Sequence, residues 1–306
     1  MATWLVTGGC AFIGSHLADA LGARGDRVRI IDNLSAGRRE NAPRKAEIIV
    51  GDVADRDLVR RALDGADGCF HLAAVVSVPK SIDAWADSHR TNLTGAITVF
   101  DAARERRLPV VYASSAAVYG DNPNVPLQES AATRPLSPYG ADKLGCELHA
   151  FTAWVNHKLP TAGMRFFNVY GPRQDPLSPY AGVIALFAER ILADRPVSIF
   201  GDGGQVRDFI YVADVARHLL AAMTRLREGA EVFNVCTGRA TRVIDLARQI
   251  AEVVGRTPQV LHQPPRTGDI LRSIGAPDRA ISALGLSART SLADSLRETL
   301  AAMRGK

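Results

Sequence analysis

Residues 4–14, Trp4-Leu5-Val6-Thr7-Gly8-Gly9-Cys10-Ala11-Phe12-Ile13-Gly14, decide the fold. A short apolar run ends in a glycine-rich turn that opens into an apolar-periodic helical stretch over 16–24. A second apolar run, 27–31, ends on Asp32. The amides of such a turn and the positive end of the following helix suit a pyrophosphate, and an acid at the tip of the next strand suits a ribose diol. A plain tight turn would leave Asp32 without a purpose, so the two signals together predict a dinucleotide site. A carboxylate accepts from a 2′-hydroxyl and repels a 2′-phosphate, which favours NAD over NADP; Arg38 is a small counterweight.

Working outward, three more short apolar runs end on small or polar residues: 46–50 on Gly51-Asp52, 68–72 on Ala73-Ala74, and 109–113 on Ser114-Ser115. Helical stretches are predicted over 55–63, 84–106 and 138–156, and a further strand over 161–166. Strands alternating with helices imply right-handed crossovers and an α/β, doubly wound parallel sheet. Past 170 the pattern loosens, with Pro and Gly gathered at 171–182 and 201–204. The expected division is a dinucleotide-binding domain over 1–170 and a smaller α/β substrate lobe over 171–306, parts of which return to the first.

Composition bounds the function. With 47% hydrophobic and 23% charged residues in 306, the chain can fill a proper core. Neither a period in its 26 Gly nor a long block of like charges points to a fibrous or disordered class. The start carries no basic leader region and no apolar run approaches a membrane span, so a cytoplasmic enzyme is expected, with no membrane partner. The net charge of +5 rests on scattered arginines rather than a basic stripe, and no nucleic-acid partner is expected. Cys10, Cys69, Cys146 and Cys236 lie far apart, and the histidines lack metal spacing. Buried thiols and no metal are the reading.

The second chemical signal is Tyr139-Gly-Ala-Asp-Lys143. Four residues apart on a helix, phenol and ammonium share a face, and the ammonium favours the phenolate that a base requires. A solvated surface pair has the same spacing. What distinguishes this one is its place, opening the helix that follows the strand ending at Ser114-Ser115, where a hydroxyl can join it over the crevice at the strands' carboxyl ends.

These residues resemble the extended short-chain dehydrogenases/reductases, and within them the UDP-sugar 4-epimerases. The likeness rests on T-G-G-x-x-F-I-G at 7–14, D-N-L-S-x-G at 32–37, G-D-V at 51–53, H-L-A-A at 71–74, S-S-A-A-V-Y-G at 114–120 and Y-x-x-x-K at 139–143. It continues through R-F-F-N-V-Y-G-P-R at 165–173, S-P-Y-A-G-V-I at 178–184, R-D-F-I-Y-V-x-D-V at 207–215 and R-x-G-D at 266–269. It covers nearly the whole chain and implies a Rossmann-type sheet, NAD as cofactor, a UDP-sugar substrate and a homodimer built through the 84–106 and 138–156 helices.

It also implies roles. Tyr139 would be the base on the sugar 4-hydroxyl, Lys143 would support it and hold the nicotinamide ribose, and Ser115 would bond the reacting oxygen. Cofactor contacts would come from Gly8, Phe12 and Ile13 in the turn, then Asn33, Ser35 and Gly37 beside Asp32. Asp52, Val53, Leu72, Ala73, Ala74 and Phe166 would complete them from later strand ends. Asn168, Val183, Arg207, Arg266 and Asp269 would meet the nucleotide, with Ser77, Phe200 and Ser273 also on the substrate; arginine's planar fork suits phosphate.

Three residues depart from the family pattern. Ala11 stands where a second glycine is usual, Cys236 replaces a glycine and Ala276 an Asp. The nearest rival reading is a nucleotide-sugar 4,6-dehydratase, which would carry an Asp-Glu pair where this chain has Ala116-Ala117. A simple reductase or decarboxylase, and a non-catalytic NAD-binding scaffold, are more distant; the last usually lacks the Tyr or Lys kept here.

Overall fold

The computed structural model describes residues 1–176, 182–265 and 270–304. Its first half runs β1 (Thr3–Thr7), α1 (Phe12–Ala23), β2 (Arg27–Asp32), β3 (Glu47–Val50), α2 (Arg56–Leu63) and β4 (Gly68–His71). Then come α3 (Val78–Asp83), α4 (Trp85–His89), a π-helical turn at Arg90–Thr94, α5 (Gly95–Arg104), β5 (Val110–Ser115), α6 (Pro138–His157) and β6 (Thr161–Phe166). The second half runs β7 (Asn168–Tyr170), α7 (Val183–Leu192), β8 (Val197–Phe200), β9 (Val206–Arg207), β10 (Phe209–Tyr211), α8 (Val212–Arg225) and β11 (Ala230–Val235). It closes with β12 (Thr241–Arg242), α9 (Val243–Val254), β13 (Val260–Gln263), β14 (Arg272–Ser273), α10 (Asp278–Leu284) and α11 (Leu292–Arg304).

Seven strands form one parallel sheet in the order β11-β6-β5-β4-β1-β2-β3. Along β1, Leu5 joins the packing under α2, α5 and α6, and Val6 joins the packing under α1 and α8. Both faces are covered, which is why these strands read as continuous apolar runs rather than alternating ones. Helices on both faces make the sheet doubly wound, of Rossmann type. The edge strand β11 comes from the second half of the chain, and α8 packs against α1. The remaining second-half elements build a smaller layer around Phe187, Ile199, Tyr211, Leu246 and Leu296, with β8 paired to β13 and β9 between β12 and β14.

Two helices differ from the sequence reading. α1 begins at Phe12, earlier than the apolar period suggests, because Ser15 N already donates to Ala11 O (2.9 Å). The stretch 84–106 is helical without interruption from Trp85 to Arg104, set off from α3 by the break at Ala84 (φ −122°, ψ 61°), but it carries a π turn. That turn, Arg90–Thr94, places buried Asn92 where its side chain accepts from Val75 N (2.8 Å) and donates to Val75 O (3.1 Å). A widened helical turn of this kind re-aims side chains, here for a long-range contact. All four cysteines are free and buried.

Candidate active site

The glycine turn is forced by contact. Gly8 has φ +69°, and a Cβ there would stand 2.8 Å from Ala73 N; one on Gly14 would stand 2.1 Å from Gly8 O. Ala11, by contrast, sits in ordinary extended backbone (φ −84°, ψ −179°), so its methyl costs the turn nothing. No side chain caps the start of α1, which leaves its first amides for an anion. Asp32 is buried, with Oδ2 accepting from Cys10 N (2.9 Å) and Oδ1 from Leu34 N (2.8 Å). It therefore ties the turn to the loop after β2 and still has lone pairs for a diol. This tie was not legible from the motif.

These features open on a cavity of about 390 Å³. Gly8, Phe12 and Ile13 line it at one end, followed by Asp32, Asn33, Ser35 and Gly37, then by Asp52 and Val53. Leu72, Ala73 and Ala74 line its floor, and Ser115, Tyr139, Lys143 and Phe166 its far end. Every cofactor and catalytic candidate is thus brought to one cavity, whose glycine cradle and buried acid fit a dinucleotide such as NAD. The sequence reading missed Thr91, Val75 and Val76, delivered by the π turn and its clasp, and Arg173, Gln174 and Asp175. The last three arrive on a strap fastened to α1: His16 Nε2 donates to Pro172 O (2.9 Å), and Arg173, at φ +68°, pairs with Asp19 (2.7 Å).

At the far end, Lys143 is fully buried and its Nζ donates to Ala113 O (2.8 Å), 5.9 Å from the centre of the Tyr139 ring. Ser115 Oγ accepts from Ala117 N (3.1 Å) and caps the 3-10 turn Ala116–Tyr119. Tyr139 N donates to Ser81 Oγ (3.2 Å). Behind this group, Glu147 and Arg165 form a buried ion pair (2.6 Å), Ser114 Oγ donates to Glu147, and Arg165 Nη1 donates to Tyr119 Oη (2.8 Å). Tyr119 Oη donates in turn to Asn234 Oδ1 (2.7 Å), so the network joins the end of β5 to α6, β6 and β11.

Thr7 Oγ accepts from Ala73 N (3.2 Å), shares the Leu72 N–H with its own carbonyl (3.2 and 3.1 Å) and is hydrogen-bonded to His71 Nδ1 (2.8 Å). Burial, with the Lys143 ammonium nearby, pushes His71 from 6.5 down to about 3. The folded chain refuses a proton that the unfolded chain takes, so this histidine costs nothing above pH 6.5 and destabilises as pH falls toward 3. A loss of about 1.4 kcal/mol per pH unit within that window is expected. Urea melts between pH 7 and 4.5 check this: His71→Gln should flatten the slope relative to the parent, and equal slopes would remove His71 as its source.

None of the substrate candidates among the described residues lines this cavity. Arg207 on β9 stands beside Ser273 on β14 and Thr241 on β12. Asp208, wholly buried, accepts from Thr237 N (2.8 Å), Thr237 Oγ1 (2.6 Å) and Gly238 N (2.8 Å), and its carbonyl accepts from Asn168 Nδ2 (3.1 Å). Burial raises the Asp208 carboxyl against those donors. Asn168 is thereby tied to the backbone next to Arg207, and Ser273 to Arg207 itself by strand register. Val183 opens α7, Phe200 ends β8, and Ser77 caps α3 by accepting from Lys80 N (3.0 Å). Arg266 and Asp269 lie outside the described residues. Cys236 and Ala276 are buried and do not themselves line the cavity, although Cys236 packs in one cluster with Phe167, which does; Ala276 N donates to Leu127 O (2.8 Å).

The model of the NAD dependent epimerase/dehydratase family matches residues 4–236. The UDP-glucose 4-epimerase of Mycolicibacterium smegmatis is 37% identical over 310 residues, covering 99% of this chain and 98% of that one. Among solved structures, a UDP-N-acetylglucosamine 4-epimerase from Methanobrevibacter ruminantium, in complex with UDP-N-acetylmuramic acid, superposes with TM-score 0.95 at 36% identity, covering 99% and 98% of the two chains. A UDP-glucose 4-epimerase from Thermus thermophilus, in complex with NAD, does so with TM-score 0.91 at 35% identity, covering 99% of each. With the glycine turn, the acid that ends β2 and the Tyr139–Lys143 face meeting at one cavity, the chain belongs to the NAD dependent epimerase/dehydratase family, as an extended short-chain dehydrogenase/reductase.

Proposed function

We propose that the protein inverts C4 of a UDP-hexose through a transient 4-keto sugar, interconverting UDP-glucose with UDP-galactose and their 2-acetamido counterparts. The meeting of Ser115, Tyr139 and Lys143 with the glycine turn at one cavity carries this reading. NAD, when bound, supplies the acceptor and then the donor of the hydrogen exchanged at C4. Tyr139 Oη, acting as phenolate beside the buried Lys143 ammonium, takes the proton of the 4-hydroxyl, holds it as a neutral phenol while the sugar is a ketone and then returns it, and Ser115 Oγ steadies the reacting oxygen. Arg207, with Asn168, Val183, Phe200, Arg266 and Asp269, anchors the nucleotide while Ser77 and Ser273 border a loosely held sugar, free to present its other face. Ala116-Ala117 offers no acid for chemistry at C5 and C6, which disfavours a 4,6-dehydratase.

We assign residues 1–170 to NAD and catalysis and 171–306 mainly to the nucleotide sugar, and place the enzyme in the cytoplasm as a homodimer. Leu148, Phe151 and Val155, spaced three and four apart, form an exposed apolar stripe on α6, and Ile97 is exposed on α5, which supports such an interface. No helix of the described residues is long and apolar enough to cross a membrane.

Purified protein incubated with UDP-glucose, UDP-N-acetylglucosamine and UDP-glucuronate, without added NAD or with catalytic amounts, should yield the C4 epimers by chromatography. Stoichiometric NADH release, or a 4-keto-6-deoxy product, would replace this reading with a dehydrogenase or a dehydratase. The sugar range turns on Ser273, small and half-buried on β14, whose neighbours Leu271 and Arg272 are both exposed. Ser273→Tyr is expected to cut kcat/KM on acetamido sugars by about tenfold or more while sparing UDP-glucose, the size of a pocket-contact change of roughly 1–3 kcal/mol. Equal losses on both sugars would sink the pocket assignment.

A further inference from the structure

Asp142 lies between Tyr139 and Lys143 in sequence, yet its side chain is buried and faces away from the cavity lining, toward α4. Its Oδ1 accepts from His89 Nδ1 (2.8 Å), and its Oδ2 has no hydrogen-bond partner. A buried carboxylate with one partner is a poor source of stability, since desolvation offsets most of what the bond returns. Its placement has a geometric effect instead. Neighbouring side chains on a helix diverge by about 100°. Lys143 reaches Ala113 O on β5 while Asp142 reaches the last residue of α4, so α6 is pinned from two directions at one level. The roll of α6 about its axis is what sets the Tyr139 phenol over the cavity. His89 immediately precedes the π turn, whose Thr91 lines the cavity and whose Asn92 clasps Val75.

We propose that the His89–Asp142 pair is a positioning device that locks the roll of α6, and with it Tyr139 and Lys143, against the π turn that carries the facing wall of the cavity. The proposal rests on the epimerase reading for its kinetic effect and on the cavity alone for its effect on NAD. His89 is half-exposed, so replacing it leaves the core intact. His89→Leu should lower kcat for C4 epimerisation about tenfold with KM for the UDP-sugar within about twofold, and should weaken NAD binding by a similar factor, as for loss of a charge-assisted hydrogen bond. His89→Gln, whose amide can donate to the same oxygen, should recover most of both. Asp142→Asn gives a second route to the same comparison.

The measurements are steady-state kinetics, NAD titration of charcoal-stripped protein by tryptophan fluorescence, and a thermal melt of each variant. If His89→Leu lowers only the melting point, leaving kcat and NAD affinity at parental values, the pair is structural and the proposal falls. The same follows if His89→Gln performs no better than His89→Leu. A parent that turns over no UDP-sugar overturns the epimerase reading, and the NAD titrations of the three variants still decide the proposal.

Discussion

Tyr139→Phe is expected to lower kcat for C4 epimerisation at least a hundredfold, about 2.7 kcal/mol, while leaving affinity for UDP largely intact. The phenol oxygen is the only atom removed. The ring keeps its place beside the Lys143 ammonium, and the backbone amide still donates to Ser81 Oγ. Arg207→Ala should do the reverse, raising KM more than it lowers kcat, because an anchor on the nucleotide contributes alike in ground and transition states. The split is read from initial rates over a range of UDP-sugar, with UDP inhibition as the affinity control. If both variants lose activity in proportion to lost folded protein, the two positions are structural.

The second large effect concerns stability. Glu147 and Arg165 are 7% and 6% exposed, and the carboxylate also holds Ser114. Replacing Glu147 with Ala leaves a buried guanidinium and a serine hydroxyl without their acceptor, and a loss of about 3–5 kcal/mol is expected. Combining Glu147→Leu with Arg165→Met removes both charges, so the pair should melt closer to the parent than either single variant does. Tyr119 and Asn234, which lose their link to Arg165, keep that recovery incomplete. Urea denaturation of the four proteins measures the cycle, and additive single losses would show that the two side chains do not act as a unit.

What the sequence by itself determined is the chemistry that is local along the chain. The turn at Gly8–Gly14 and the acid after it, Tyr139 and Lys143 four residues apart, and the small residues ending each strand are read at fixed spacing. Backbone geometry translates such spacing directly into a shared face or a strand end. The six strands of the first half and their alternation with helices follow from the same local rules, while their order across the sheet does not. What only the tertiary structure decided depends on contacts between residues far apart in number. β11 fills the sheet edge because β6 offers an open ladder, not because of its own pattern. Thr91 reaches the cavity through a π turn set by Asn92 and Val75, and Asp32 doubles as a tie to Cys10. Glu147 finds Arg165 on another element. A lone Asn, Glu or Asp reads the same whether solvated or buried, and which of these it becomes is settled by the partner that folding brings within hydrogen-bond distance.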